Sequence, residues 1–357
     1  MISGISLLHI IKRIEANIKP SPVFYSDQDR AIEFPIDIVI TWVDGQDDAR
    51  NNLREEYRKR ESKIVKEATS SRRYINHNEL KYLLRSVERY IPWVHRIHVI
   101  SSDQAPPKWL IPNEISGFDF EIKTSPQIGN KPILRWVNDR TILGDQNLPT
   151  FNSHAFETAI YKLQDLTEHF IYFCDDMFVT KPLQPSHLFS HEGKPKVCAH
   201  FWTHPYRWDP GIHSQTWRKI WSEMSRKYPS HDKWMNGHVA TPLTRKLMLE
   251  AEQLWGSDWL KTRSNKFRSG SDVQPVAAAV ILGQINGTII KNVGLVNRFV
   301  MFRDYQFLNR FNMAFALTAK PHLLCINNDL NQPDKYGDKL EGYLKKLLTF
   351  ESIWEIT

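Results

Sequence analysis

IDIVITWVDG, residues 36–45, is a run of apolar and β-branched side chains interrupted by one acid, Asp37. That is how a strand buried on both faces reads. The run closes on Trp42, Val43, Asp44 and Gly45, a carboxylate and a glycine where strand gives way to loop. In open α/β sheets ligands sit outside the carboxyl ends of the strands, so Asp44 is aimed at a binding crevice. An Asp-Gly pair can instead close a hairpin, but a charged stretch follows here and no matching strand. The same grammar returns in HFIYFCDDMFV, residues 169–179, which carries Asp175 and Asp176, and in HLLCINND, residues 322–329, which ends in Asn328 and Asp329. The expectation is three strands delivering acids to one edge of a sheet, as metal-assisted group transfer requires.

Outward from the first strand, residues 47–69 are helical and rich in charge with few apolar anchors, which predicts an exposed insertion or a mobile lid. Leu80, Leu83, Leu84 and Val87 stand at helical spacing within residues 76–89. RIHVIS at 96–101 is a second strand, and FDFEIK at 118–123 alternates like an edge strand. Strand, helix, strand, loop and strand in that order give an α/β fold with a Rossmann-like, GT-A-like core. Further helices are predicted over 152–166, 241–255 and 273–285, with a last one from residue 339. Residues 200–320 form a helical, aromatic-rich subregion covering the cleft, within a single catalytic domain over residues 35–357. Residues 1–34 form an amphipathic segment, with apolar positions at 2, 5, 7, 8, 11 and 14. Such a segment lies on a membrane or docks on the protein, and docking is the reading adopted.

A net charge of +7 suits phosphates or an anionic polymer. No compact run of Lys and Arg supports nucleic acid as a partner. Cys174, Cys198 and Cys325 are scattered through apolar contexts and read as reduced core thiols, hence a reducing cytoplasm. No stretch reaches the roughly 20 apolar residues of a membrane span. Phosphate-binding glycine loops, a nucleophile elbow and zinc-finger spacing are all missing from the sequence.

Two adjacent carboxylates resist ionising together unless a cation compensates, so Asp175 and Asp176 suggest a hard divalent ion; a solvated turn is the plainer alternative. His238 lies in a loop bounded by Gly237 and Pro242, where a histidine is usually just a satisfied side chain. Arg268 and Lys266 occupy RSNKFRSGSD, residues 263–272, ahead of an apolar helix. With the helix start they would make a phosphate clamp, compatible with capping by Ser271 or Asp272.

Four blocks together resemble the Stealth family of sugar-1-phosphate transferases, which includes bacterial capsular polysaccharide phosphotransferases and the N-acetylglucosamine-1-phosphotransferase of animals. They are IDIVITWVDGQD from residue 36, the run from residue 72 through HFIYFCDDMFV, the stretch from GHVATP to FRSGSD over 237–272, and CINND at 325–329. Where the family usually has Asn-Asp-Asp, this chain has Cys174 before its two aspartates. The resemblance implies catalytic roles for Asp44, His238 and Arg268. It implies substrate contacts from Trp42, Arg73, Asn152, Ser153, Lys266 and Asn328, and a Mg²⁺ or Mn²⁺ ion on Asp175, Asp176 and Asp329. The implied reaction is attack of a sugar hydroxyl on the β-phosphorus of a UDP-sugar with loss of UMP, in capsular or cell-surface polysaccharide synthesis. The implied partners are the UDP-sugar, an oligosaccharide or lipid-linked acceptor and other polysaccharide-assembly enzymes, at the inner face of the cell membrane. One rival is a metal-dependent GT-A glycosyltransferase releasing UDP. Another is a non-catalytic saccharide-binding protein using its Trp-rich middle.

Overall fold

The computed structural model describes residues 32–61, 66–69, 74–110, 119–122, 132–200, 209–304, 306–319, 321–328, 330 and 333–355. The strands are β1 (Ile36–Trp42), β2 (Arg96–Ser101), β3 (Phe120–Ile122), β4 (Ile133–Asn138), β5 (His169–Cys174), β6 (Met177–Val179), β7 (Lys196–Cys198), β8 (Thr241–Thr244), β9 (Ile290–Asn292), β10 (Asn297–Phe302) and β11 (Leu323–Asn328). The helices are α1 (Asp48–Arg60), α2 (Glu79–Tyr90), α3 (Asp139–Leu143), α4 (Ser153–Glu157), α5 (Pro185–Leu188), α6 (Ile212–Lys227), α7 (Arg245–Ser264), α8 (Pro275–Ile285), α9 (Gln306–Ala319) and α10 (Pro333–Leu347).

The main sheet runs β3-β4-β2-β1-β5-β8. Its four inner strands are parallel, and β3 and β8 are antiparallel edges. Alternation along β1 explains the three layers. Ile38 and Ile40 point to the face covered by Leu80, Leu83, Leu84 and Val87 of α2, while Val39 points to the face covered by α7 and α8. A strand clothed on both sides must be apolar throughout, which is why residues 36–42 read as a continuous run. The result is the Rossmann-like α/β core that the sequence predicts.

Several expectations need correction. The third acid-bearing strand does not join the main sheet: β11 lies in a separate sheet ordered β10-β11-β6. The chain turns over at Asp175-Asp176, and β6 leaves β5 to pair antiparallel with β11, Met177 opposite Cys325. The helix expected over 152–166 breaks after α4 into a 3-10 turn at Ile160–Lys162. The Thr158 carbonyl is claimed instead by Trp259 Nε1 at 3.0 Å and Arg263 Nη2 at 2.7 Å. Residues 241–244 are strand β8, where Pro242 is tolerated at a sheet edge. Helix α7 then starts under a Thr244 cap, with Leu247 N donating to Oγ1 at 3.1 Å, and kinks at Gly256. The last helix begins at Pro333 rather than residue 339.

Helix α1 is no free lid. Arg54 is buried and lies 4.2 Å over the Tyr74 ring, and Arg50 donates to the carbonyls of Ser102 and Thr150. Residues 1–31 of the amphipathic segment lie outside the described residues. The three cysteines are free thiols, and among the described residues no helix is long and apolar enough to cross a membrane.

Candidate active site

The carboxyl ends of the parallel strands converge on one rim. Asp44 leaves β1 in a loop whose backbone is gripped by Gln104: Asp44 N donates to Oε1 and Gln104 Nε2 donates to the Asp44 carbonyl, both at 2.8 Å. Its Oδ1 accepts from Gln46 N at 2.9 Å. Gly45 is required sterically, because a Cβ there would stand 0.9 Å from the Tyr74 carbonyl oxygen. Trp42, expected at the substrate, is instead buried and packs edge-on against Trp136 with centroids 5.2 Å apart. Its side chain belongs to the core.

The turn between β5 and β6 carries the acid pair. Asp176 Oδ2 accepts from Cys325 Sγ at 3.4 Å and Asn327 Nδ2 at 3.2 Å, while its buried Oδ1 has no partner among the described residues. Burial, reinforced by Asp176 and Glu79, pushes the Asp175 carboxyl well above the ordinary carboxylate range. His238, in the loop ahead of β8, completes a group with Asp176 and Cys325 whose ligand atoms all lie within 4.8 Å of one another. Thus the histidine expected as a base stands beside a carboxylate expected as a metal ligand. Asp175 is not part of that group, Asp329 and Arg73 fall outside the described residues, and Asn328 Oδ1 accepts from Leu330 N at 3.1 Å.

These residues suit a divalent cation. Asp176 Oδ1 is an orphaned buried acceptor, and two adjacent half-buried carboxyls gain most from a positive charge. Asp, His and Cys together would suit a borderline ion such as zinc. Burial and the neighbouring Asp176, however, push the Cys325 thiol well up, so it stays protonated and donates to Asp176. What remains is a carboxylate and an imidazole.

A second assembly holds Arg268. Asp272 is buried and receives Asn152 Nδ2 at 2.9 Å, Asn265 Nδ2 at 2.6 Å and Ser269 N at 3.0 Å, with His154 Nδ1 at 3.4 Å. Burial alone would raise this carboxyl, yet the donors around it, His154 foremost, hold it below the ordinary range. The anchored loop lets Arg268 Nη2 donate to Ser153 Oγ. Asn152 is fully buried, caps α4 and grips Asp272. Lys266 donates to the Leu148 carbonyl at 3.0 Å. The expected clamp at a helix start is also revised: α8 begins later, at Pro275, and the Gln274 side chain ahead of it donates to Thr216 at 2.7 Å and the His213 carbonyl at 3.2 Å. The first turn of α6 joins the two assemblies. Gln215 crowds Gly270, and the His213 ring lies 6.1 Å from His238.

Three acids escaped the sequence reading. Glu79 opens α2, is buried, and is pushed up to about 7 by burial with Asp176 and Glu341 adding repulsion. Its only sequence signal is an acid in a helix's first turn, which is common. Glu157 accepts from Tyr172 Oη at 3.3 Å beneath Cys174. Asp139 follows β4 and is pushed up to about 6 by burial against the pull of Arg50. An acid after each parallel strand was the signal available for Asp139.

The chain is similar to several known proteins. The chain matches models described as Stealth protein CR1, conserved region 1, over residues 34–62, CR2 over 73–119 and 123–197, and CR3 over 237–278. A capsular polysaccharide phosphotransferase of Neisseria meningitidis serogroup B is 41% identical over 165 residues, covering 45% of this chain and 39% of that protein. The capsular polysaccharide phosphotransferase LcbA of Aeromonas hydrophila is 29% identical over 334 residues, covering 88% of this chain and 86% of that protein. The chain therefore spans well under half of the first relative and most of the second. Among solved structures, the galactosyltransferase LgtC in complex with donor and acceptor sugar analogs aligns with a TM-score of 0.39 at 13% identity, over 88% of this chain and 97% of that chain.

Proposed function

This chain belongs to the Stealth family, and from that premise we propose that it transfers a sugar-1-phosphate from a UDP-sugar to a saccharide hydroxyl, in capsular or cell-surface polysaccharide synthesis. Residues 35–357 act as one catalytic unit in this reading. The observation that carries it is the meeting of Asp176, His238 and Cys325 within 4.8 Å on the rim that also bears Asp175. Arg268, seated on Ser153, supplies the cationic group that phosphoryl transfer needs.

In the proposed step the acceptor oxygen forms a bond to the β-phosphorus of the donor. The bond from that phosphorus to the bridging oxygen breaks, and UMP leaves with the electron pair. The hydroxyl proton passes to Asp44 or His238. The Arg268 guanidinium pairs with phosphoryl oxygens as their charge shifts, and Ser153 fixes its direction. Asp176 and Asp175 would hold Mg²⁺ or Mn²⁺, which supplies charge neutralisation at the pyrophosphate. The acceptor is an oligosaccharide or lipid-linked saccharide, presented by other polysaccharide-assembly enzymes at the inner face of the membrane.

The test is the leaving nucleotide. Incubation with UDP-hexoses or UDP-N-acetylhexosamines, Mg²⁺ and oligosaccharide acceptors should release UMP, and Arg268→Ala should lower kcat by about 100-fold or more with little change in melting temperature. Release of UDP would make the protein a glycosyltransferase and overturn the reading. A pH–rate limb in the imidazole range that survives His238→Ala would remove His238 as the base.

A further inference from the structure

A cavity of about 270 Å³ lies between α9 and α10, away from the acid cluster, and its walls are basic. Arg310 comes from α9, and Lys339 and Lys346 from α10, with no carboxylate in the lining among the described residues. Phe302 and Tyr343 meet edge-on with centroids 6.1 Å apart, and Lys346 Nζ lies 6.0 Å over the Tyr343 ring. Gly342 opens the middle of the groove, because a Cβ there would meet nothing within 4 Å. Cations beside an aromatic face recognise a ligand that is both anionic and ring-bearing.

Strand β11 links the groove to the acid cluster. Phe302 is the register partner of Asn328 on β11, and Cys325, which touches Asp176, lies three residues earlier on that strand, about 10 Å away. Glu341, next to Gly342 in sequence, accepts from Asn78 Nδ2 at 3.1 Å and Tyr82 Oη at 3.3 Å, beside Glu79.

We propose that this groove binds an anionic saccharide chain, the phosphodiester-linked product of earlier transfers, and holds it while its end is extended. The identity of the anion rests on the proposed function: each transfer leaves one phosphodiester, so a chain already extended is a polyanion. Arg310 and Lys346 at one end of the β10–β11 sheet match that charge, and the chain's net +7 favours its approach.

The probes are a fluorescein-labelled tetramer of N-acetylhexosamine joined by phosphodiesters, its neutral glycosidic counterpart, and phosphatidylglycerol vesicles. The intact chain should bind the anionic tetramer, with affinity falling as salt rises, and bind the neutral one at least tenfold more weakly. Arg310→Glu with Lys346→Glu should weaken that binding tenfold or more. So should Gly342→Leu, which fills the groove and removes a helix-weakening glycine, so that folding is preserved. UMP release with a monosaccharide acceptor should stay at the wild-type level in these variants. Unchanged tetramer binding in the variants, equal binding of the neutral tetramer, or capture of the vesicles in place of the tetramer would each overturn the proposal. Absence of UMP release, with tetramer binding that the variants abolish, would overturn the transferase reading and leave the groove as a polyanion site.

Discussion

Glu79 holds a carboxyl where water does not reach, with two further acids close by, and burial lifts it from 4.5 to about 7. The folded protein therefore binds this proton more tightly than the unfolded chain does. Its stabilising contribution is complete below pH 4.5 and is lost as pH rises through 7. At about 1.4 kcal/mol per unit, the swing is on the order of 3 kcal/mol. Thermal melts without divalent cation should show a melting temperature that falls between pH 5 and pH 8, and Glu79→Gln should flatten that fall. Mg²⁺ should raise the melting temperature more at pH 8 than at pH 5, since it competes with the proton that burial holds on Asp175. An equal gain at both pH values would count against a cation on these carboxylates.

At the scale of an element, the loop over 265–272 is anchored by one buried acid, Asp272. Asp272 joins four donors from two stretches of chain, and Phe267 stacks on Phe151 with centroids 5.2 Å apart. Removing the carboxylate leaves Asn152, Asn265 and His154 with unmet polar groups, so Asp272→Ala should cost about 3 kcal/mol in chemical denaturation. Because Arg268 rides on that loop, the variant should also lose activity out of proportion to the fraction unfolded. Retention of full activity at a temperature where the variant is folded would show that Arg268 is placed by something else. Local competition also explains why α4 is short: the Ala155 carbonyl, which would accept the next helical bond from Ala159 N, takes Thr158 Oγ1 at 2.6 Å, and Ala159 N turns to the Phe156 carbonyl at 2.9 Å.

Across the whole molecule, the site forms where two sheets meet. The main sheet supplies Asp44 and the strand leading to Asp175; the small sheet supplies Cys325 and Asn327, with β6 as the joint. Phe178, fully buried on β6 and opposite Leu324, holds that joint in the core. Phe178→Ala should destabilise the fold by about 3–5 kcal/mol and, in the folded fraction, loosen the Asp176 contacts. The measurement is an unfolding curve paired with Mg²⁺-dependent stabilisation. A variant that loses stability but keeps the full Mg²⁺ response would show that the small sheet is dispensable to the cation site.

What this sequence determined by itself was everything that repeats over a few residues. The continuous apolar run of β1, the spacing of Leu80, Leu83, Leu84 and Val87 on α2, the acids following β1 and β5 and the family blocks were all legible, because periodicity and strand ends are local properties. Tertiary structure alone decided which of those residues meet. Cys325 reaches Asp176 across 149 positions, Asn152 reaches Asp272 across 120, and neither pairing leaves a trace in local pattern. It also decided that Trp42 and Asn152 are buried and that Glu79 is a buried acid beside the turn carrying Asp175 and Asp176. Burial is a property of what packs over a residue, and the covering elements come from distant parts of the chain.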